Sequence, residues 1–247
     1  MKPIKKQSFV RMKSFFHYSA LIIFTLILFG CDSWEQESGK KDSSLTFFAK
    51  PEKDKLPYFR GKDLEAFWSE QGDLPEEVRM VDAFSFQNQL DQNIKETHLK
   101  DKITIVSFFF AKCHGICPSI IRNLKFVQSA YGKEPKVQIV SYSVTPDLDT
   151  PFELKKFGEE KGIWPQKWSL LTGDREKIFR LARNTFQADT NTTNKDSVKD
   201  FVHSEQIFLI DENLRFRGIY NGNRGESVKI MIDDIKLLLK EKPLPLN

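Results

Sequence analysis

Two cysteines in the middle of the chain have the residue types and the spacing to do chemistry. Cys113 and Cys117 are separated by three residues, follow an apolar run and stand directly before Pro118. Three intervening residues put the two sulfur atoms within reach of one another. A close pair of this kind in an oxidising compartment can be a structural disulfide, a redox couple or a metal site. The pair alone leaves these three uses open.

The segments around the pair predict where it lies in a fold. Residues 103–110 are nearly all apolar, with β-branched and aromatic side chains, which is typical of a strand buried on both faces of a sheet. Apolar residues recur at helical spacing from Ile120 to Val127, and proline is tolerated in the first turn of a helix. We therefore expect the cysteines at a strand-to-helix junction, where the helix amino terminus lowers a thiol pKa and favours the thiolate.

Histidine is the residue type that could complete a metal site with these thiols. Two thiolates are soft donors that suit Cu(I), and a neutral nitrogen would complete a low-coordinate site. Of the four histidines, His17 lies near the amino terminus and His98 lies in a polar stretch typical of the surface. His114 lies between the cysteines, where it can tune a thiol pKa, contact a ligand or face water. His203 follows the polar loop 189–200, and its position alone is also typical of a surface histidine.

The amino terminus has the anatomy of an export signal. The first 30 residues contain five basic residues and no acidic one, and their apolar stretch 18–29 is shorter than the roughly 20 residues that span a bilayer. Residues 28–31 resemble the lipobox of bacterial lipoproteins, in which the cysteine becomes lipidated; an uncleaved signal anchor is the alternative. We predict a signal peptide over residues 1–30 and a lipid on Cys31. The protein would then be anchored to a membrane of the cell envelope, with its domain outside the cytoplasm.

Removal of this leader changes the charge balance of the chain. The remaining residues have 33 basic and 34 acidic side chains, a net charge of −1. A clustered basic face, which nucleic-acid binding requires, is therefore not indicated. A hydrophobic content of 40% with 22 phenylalanines predicts a packed globular domain.

The rest of the chain divides into a tether, one domain and a short tail. Residues 31–55 are polar and rich in lysine and predict a flexible tether, residues 56–242 predict the domain, and residues 243–247 the tail. Alternating strands and helices indicate an α/β, thioredoxin-like fold in which helices flank a central mixed sheet, with an N-terminal hairpin extension. The other predicted elements are a hairpin ending at Ile94, strands over 137–144, 206–211 and 215–220, helices over 150–161 (capped by Thr150, with Glu153 as its partner) and 174–186, and a last helix capped by Ser227.

Four segments, in the same order, resemble the Sco/SenC family of thioredoxin-fold copper proteins, which serve cytochrome c oxidase assembly. They are the Cys-x-x-x-Cys-Pro signature at 108–118, the stretch with Asp-Thr-Pro at 143–151, the Trp and Leu-Thr-Gly at 168–173, and the histidine with its strand at 203–211. The likeness covers roughly residues 56–240. It implies that Cys113 and Cys117 are thiolate copper ligands and that His203 is the third ligand.

Three residues depart from the family pattern. Thr145 stands where the family often has aspartate, Val202 stands where an acidic residue commonly precedes the histidine, and His114 replaces a residue that is often proline. None of these changes removes an implied copper ligand.

The resemblance implies a membrane-tethered copper chaperone that delivers copper to the CuA site of cytochrome c oxidase, whose CuA-carrying subunit is the partner. The alternative is a thiol-disulfide oxidoreductase, in which Cys113 and Cys117 form a redox-active pair that reduces the oxidase cysteines or other exported thiols. A third is an interaction protein stapled by a disulfide, although so short a loop gains little from one. His203 separates the first two, because copper retention requires it and thiol exchange does not.

Overall fold

The computed structural model describes residues 55–68, 74, 77–188 and 205–241. The signal peptide, Cys31, all of the tether before Lys55, His203 and the tail lie outside the described residues, so the predictions for them stay predictions. No helix within these ranges has the length and apolar character needed to cross a membrane.

The strands form one large sheet and a small amino-terminal one. The large sheet has seven strands in the order β4-β3-β7-β6-β5-β8-β9, and β1 pairs with β2 in the small sheet. The strands are β1 (Tyr58–Arg60), β2 (Glu65–Phe67), β3 (Ser85–Asn88), β4 (Asn93–Lys95), β5 (Ile103–Phe109), β6 (Val137–Ser143), β7 (Trp168–Thr172), β8 (Gln206–Ile210) and β9 (Phe216–Asn221).

The large sheet is mixed, as predicted. Strand β5 runs parallel to β6 and antiparallel to β8, and β6 runs parallel to β7. All seven residues of β5 are buried, because strands lie on both sides of it and packed layers cover both faces. The predicted hairpin is confirmed as β3 and β4, and it joins the large sheet through β7.

The helices are α1 (Cys117–Ala130), α2 (Pro151–Lys161), α3 (Arg175–Arg180) and α4 (Gly225–Leu238), with a short 3-10 helix (Glu96–Leu99) before β5. Helices α1, α2 and α4 pack on one face of the sheet around a largely aliphatic core that includes Leu124, Leu154 and Met231. The opposite face carries an aromatic core, in which the rings of Phe108 and Phe186 contact each other. The alternation along β5 divides its side chains between these two cores.

Two predicted helices differ in detail from the structure. The segment predicted as one helix over 174–186 is α3 followed by a π-helical turn, Leu181–Thr185. This turn leads into Phe186, which is wholly buried in the aromatic core. The prediction that Ser227 caps the last helix is wrong, because α4 begins at Gly225 and the Ser227 hydroxyl accepts a hydrogen bond from Asn221 N at 3.0 Å.

Candidate metal centre

The cysteine pair lies at the junction between β5 and α1, as predicted. Strand β5 ends at Phe109, and a loop then leads to Cys117, which is the first residue of α1. Cys113 N donates to Phe110 O at 3.3 Å and closes the first turn of this loop. Pro118 lies in the first turn of the helix, where its missing N–H has no helical acceptor to lose.

Both thiols are free, and they differ in burial. Cys113 is half-buried and Cys117 is 4% exposed. Burial raises the pKa of the Cys117 thiol to about 12, and a hydrogen bond with the Cys113 thiol acts in the same direction. The expectation of a lowered pKa is therefore wrong for Cys117, because loss of solvent outweighs the backbone hydrogen bonds that favour its thiolate. A metal ion that binds here must displace a proton from this sulfur.

A buried carboxylate holds the loop that leads to Cys113. Asp149 is 1% exposed, and its Oδ2 accepts hydrogen bonds from Ser143 Oγ at 2.5 Å, Thr145 Oγ1 at 2.9 Å and Ala111 N at 3.1 Å. The last of these fixes the backbone two residues before Cys113. Sequence analysis did not single out Asp149 as a positioning residue.

The loop that contains Asp149 is itself attached to the central strands. Val144 N donates to Phe109 O at 2.9 Å, and Asp149 N donates to Thr145 O at 2.9 Å. Thr145 thus contributes a hydroxyl to this hydrogen-bond network. The loops after β5 and β6 form one hydrogen-bonded unit beside the thiols.

The described histidines have different surroundings. His114 is exposed in the loop between the cysteines. His98 lies in the 3-10 helix, where its Nδ1 accepts from Lys95 N at 3.0 Å. Within the described ranges, no three histidine, cysteine or acidic side chains lie close enough to hold a metal ion.

Strand β8 relates the chain after His203 to the cysteine loop. It pairs antiparallel with β5, with Ile207 opposite Ser107 and Ile210 opposite Thr104. The beginning of β8 is therefore at the same end of β5 as the cysteine loop. Gln206, the first residue of β8, follows His203 by three positions.

Comparison with known proteins identifies relatives with this architecture. Residues 72–240 match the SCO1/SenC family model. A SCO1/SenC family lipoprotein from Bacillus anthracis has a crystal structure that is 30% identical, with a TM-score of 0.57 over 65% of this chain and 95% of that chain. BsSco, described as a member of the Sco family of cytochrome c oxidase assembly proteins and as having a disulfide switch, is 29% identical, with a TM-score of 0.57 over 66% and 95% of the two chains.

A copper-bound structure is also among the similar proteins. Arabidopsis thaliana ScoI with copper bound is 26% identical, with a TM-score of 0.53 over 66% of this chain and 99% of that chain. These likenesses confirm the predicted thioredoxin-like fold, with its mixed sheet flanked by helices. Because the family model spans more than half of the sequence, the chain belongs to the SCO1/SenC family.

Proposed function

We propose that this protein is a membrane-tethered copper chaperone that binds one copper ion through Cys113, Cys117 and His203 and delivers it to the CuA site of cytochrome c oxidase. The observation that carries the proposal is the pair of free thiols at the junction of β5 and α1. Two thiolates suit Cu(I). The copper-bound Arabidopsis relative and the oxidase-assembly role named for BsSco support the assignment of the metal and of the partner.

The third ligand is proposed from the family resemblance and supported by the sheet register. Ile207 is opposite Ser107, and Cys113 follows that residue by six positions around the end of β5. Strand β8 begins at this same end of the sheet. Three ligands leave the ion undersaturated, so an incoming thiolate of an acceptor can add before one of the original ligands leaves.

The unequal burial of the thiols gives the exchange a direction. Cys113 is half-buried and is the sulfur that an acceptor thiolate can replace first. Cys117 is 4% exposed, so an acceptor thiolate reaches it only after Cys113.

The proposed membrane attachment rests on the sequence. A lipid on Cys31 followed by a flexible tether of about 24 residues would give the domain an average reach of roughly 25 to 30 Å from the membrane. This distance suits a membrane-embedded oxidase. The Bacillus anthracis relative is described as a lipoprotein, which supports this arrangement.

A thiol-disulfide oxidoreductase is the second candidate, favoured by the close pair of free thiols and by the disulfide switch named for BsSco. In that reaction the Cys113 thiolate attacks a disulfide sulfur of the substrate and expels one substrate thiolate. The Cys117 thiolate then attacks Cys113 in the mixed disulfide and expels the second. The chain ends oxidised and the substrate dithiol reduced.

Replacement of His203 distinguishes the two functions. The full chain is purified in its reduced form. We expect metal analysis to give one copper per chain and sulfur-edge absorption to show two sulfur donors. His203→Ala should lower copper affinity by at least about tenfold, since loss of an outer-sphere partner alone costs that much. The rate of thiol-disulfide exchange with oxidised glutathione should not change.

Other single replacements serve as controls for that experiment. Cys113→Ser and Cys117→Ser should each remove both copper binding and disulfide formation. His98→Ala removes an exposed histidine that is bonded to the Lys95 backbone, and it should leave both measurements unchanged. Unchanged copper affinity in His203→Ala would refute the proposed ligand set.

A further inference from the structure

A groove opens beside the cysteine pair, between helices α1 and α2. Its volume is about 500 Å³, within the range of sites that bind ligands. Cys113 and Cys117, at the amino-terminal end of α1, are part of its lining. The two helices form its walls, with residues 118 to 129 of α1 on one side and residues 157 to 161 of α2 on the other.

The interior of the groove is apolar. Phe110, Ile121 and Phe157 line it, and the ring of Phe157 is largely buried. Phe126 also lines the groove, but its side chain is 60% exposed to solvent on the outer surface of α1. A large exposed aromatic side chain that continues an apolar groove is typical of an interaction site.

The rim of the groove is positively charged. Arg122, Lys125 and Lys161 line it together with one acidic residue, Glu160. Among the described residues, no carboxylate lies within 4 Å of any of these three cations. The Lys161 ammonium lies 5.7 Å from the centre of the Phe157 ring, so the charge is directly beside the apolar interior.

The charge of this rim contrasts with the balance of the chain. Residues 31–247 have a net charge of −1, with 33 basic and 34 acidic side chains. The excess of cations at the groove is therefore local. Such a local field attracts an acidic partner and raises its rate of association.

We propose that this groove binds an acidic segment of the copper acceptor, with one aromatic or aliphatic side chain of that segment seated between Phe126 and Phe157. The inference rests on the proposed function, because it assigns the partner chemistry of the same site. Carboxylates of the segment pair with Arg122, Lys125 and Lys161. Since the thiols line the groove, a segment bound there brings the adjoining cysteine ligands of the acceptor next to Cys113.

A synthetic peptide with a central phenylalanine flanked by aspartates and glutamates is the probe for this site. Its binding to the full chain is measured by fluorescence anisotropy, with the protein reduced and copper-free or copper-loaded. Two companion peptides have lysine in place of the acids or alanine in place of the phenylalanine. We expect the acidic aromatic peptide to bind more tightly than either companion, and its affinity to fall as salt is added.

The chain offers a matched control for each groove variant. Lys125→Glu is compared with Lys156→Glu, an exposed lysine of α2 that does not line the groove. Phe126→Ala is compared with Phe152→Ala, whose side chain is 73% exposed and also outside the groove. We expect Lys125→Glu and Phe126→Ala each to weaken peptide binding about tenfold and the two controls to change it less than about twofold.

Several outcomes would overturn the proposal. The first two are the absence of peptide binding and an equal peptide affinity in Lys125→Glu and Lys156→Glu. The others are tighter binding of the basic peptide than of the acidic one, and sedimentation that shows the chain associating with itself through the groove. The transfer rate of copper to the apo CuA domain of an oxidase subunit is measured in the same variants. Normal transfer by Lys125→Glu, despite weakened peptide binding, would refute the assignment of the groove to the acceptor.

Copper content separates this proposal from the proposed function. Every groove variant should retain one copper per chain, because Lys125 and Phe126 are not copper ligands. A chain that binds the peptide but no copper would refute the chaperone function and leave the groove as a peptide site. A chain that binds copper but distinguishes none of the peptides would refute the groove alone.

Discussion

Two buried aspartates lie at opposite ends of the central strand β5 and have different partners. Asp149, at the end near the cysteines, accepts hydrogen bonds from two hydroxyl groups and from the Ala111 amide. Asp211, at the other end, accepts from the backbone amides of Asn213 and Arg215 at 2.9 and 3.0 Å. Asp211 also lies 3.5 Å from the Arg217 guanidinium.

The partners of Arg217 show what the second network does. This side chain is 2% exposed, and it donates to Leu56 O and Pro57 O at 3.0 Å and to both carboxylate oxygens of Glu241. Its guanidinium also lies 4.0 Å from the centre of the Tyr58 ring. The network around Arg217 ties both ends of the described domain to β9. The hydrogen-bond partners of Asp149, in contrast, all lie in the segments beside the cysteine pair. The Arg217 network therefore stabilises the fold, and the Asp149 network positions the cysteine loop.

The largest expected effect comes from the network that stabilises the fold. Arg217→Met should lower the free energy of unfolding by about 3 to 5 kcal/mol, because Asp211 and Glu241 would keep their charges without the buried cation. Urea unfolding of the full chain measures this loss. The copper content per folded chain should not change, since Arg217 has no contact with the cysteine loop.

An exposed ion pair provides the control for that substitution. Arg60 Nε lies 3.1 Å from Glu65 Oε2, with both side chains largely exposed. Arg60→Met should leave the urea midpoint unchanged, because exposed pairs contribute little. If Arg217→Met were as harmless as Arg60→Met, the stabilising role of the network would be refuted.

The second prediction concerns the network that positions the site. Asp149→Ala leaves the hydroxyl donors of Ser143 and Thr145 and the Ala111 amide without their acceptor, which should cost about 1 to 3 kcal/mol of stability. Copper affinity should fall about tenfold, because the backbone before Cys113 loses its anchor. Chelator competition measures the affinity, and Asp149→Asn, which keeps one acceptor oxygen, should restore most of it.

The neighbouring residue separates positioning from general loss of stability. Thr150 Oγ1 accepts from Glu153 N at 3.3 Å and caps α2, as predicted from the sequence. Thr150→Ala should cost about 1 kcal/mol of stability and leave copper affinity unchanged. Equal loss of copper affinity in Asp149→Ala and Thr150→Ala would contradict a specific role for Asp149.

The two networks also mark where sequence analysis succeeds and fails. Strand β5 and helix α1 were predictable because their apolar patterns are long and regular, and the cysteine junction followed from them. Strand β7 has five residues without strict alternation, so the sequence marks this segment only through its likeness to a family motif. The hydrogen bond between Asp149 and Ala111 joins residues that are 38 positions apart. A local sequence pattern cannot predict such a contact.

The chemistry of the site was less predictable than its location. The type and spacing of Cys113 and Cys117 identified the pair, but the pKa of Cys117 depends on burial by tertiary packing. The groove beside the pair arises from two helices that are separated along the chain, and residues such as Phe126 and Lys125 follow no motif. The ligand role of His203 stays a prediction.

The smallest expected effect tests a third buried aspartate, which has fewer partners. Asp234 in α4 is 3% exposed and accepts a hydrogen bond from the Tyr220 hydroxyl at 2.8 Å. Burial raises its pKa from the ordinary value of 3.8 to about 6, although the bond from Tyr220 opposes this shift. The folded protein therefore holds the proton over a range of pH in which the unfolded chain has released it.

This difference in pKa fixes the sign of the pH dependence. The stabilisation by protonated Asp234 is fully present below about pH 4 and is lost as the pH rises through about 6. At about pH 8, Asp234→Asn should raise the free energy of unfolding by about 1 to 2 kcal/mol, because the neutral amide avoids a buried charge that solvent partly screens. At about pH 4 the substitution should have little effect, and urea unfolding at both values measures the difference.

Asp233→Asn, at an exposed neighbour, should show no comparable change between the two pH values. An equal effect of Asp234→Asn at both pH values would mean that this carboxyl ionises as readily as one in water. The single hydroxyl donor of Asp234 would then stabilise a buried carboxylate as well as the three donors of Asp149 do.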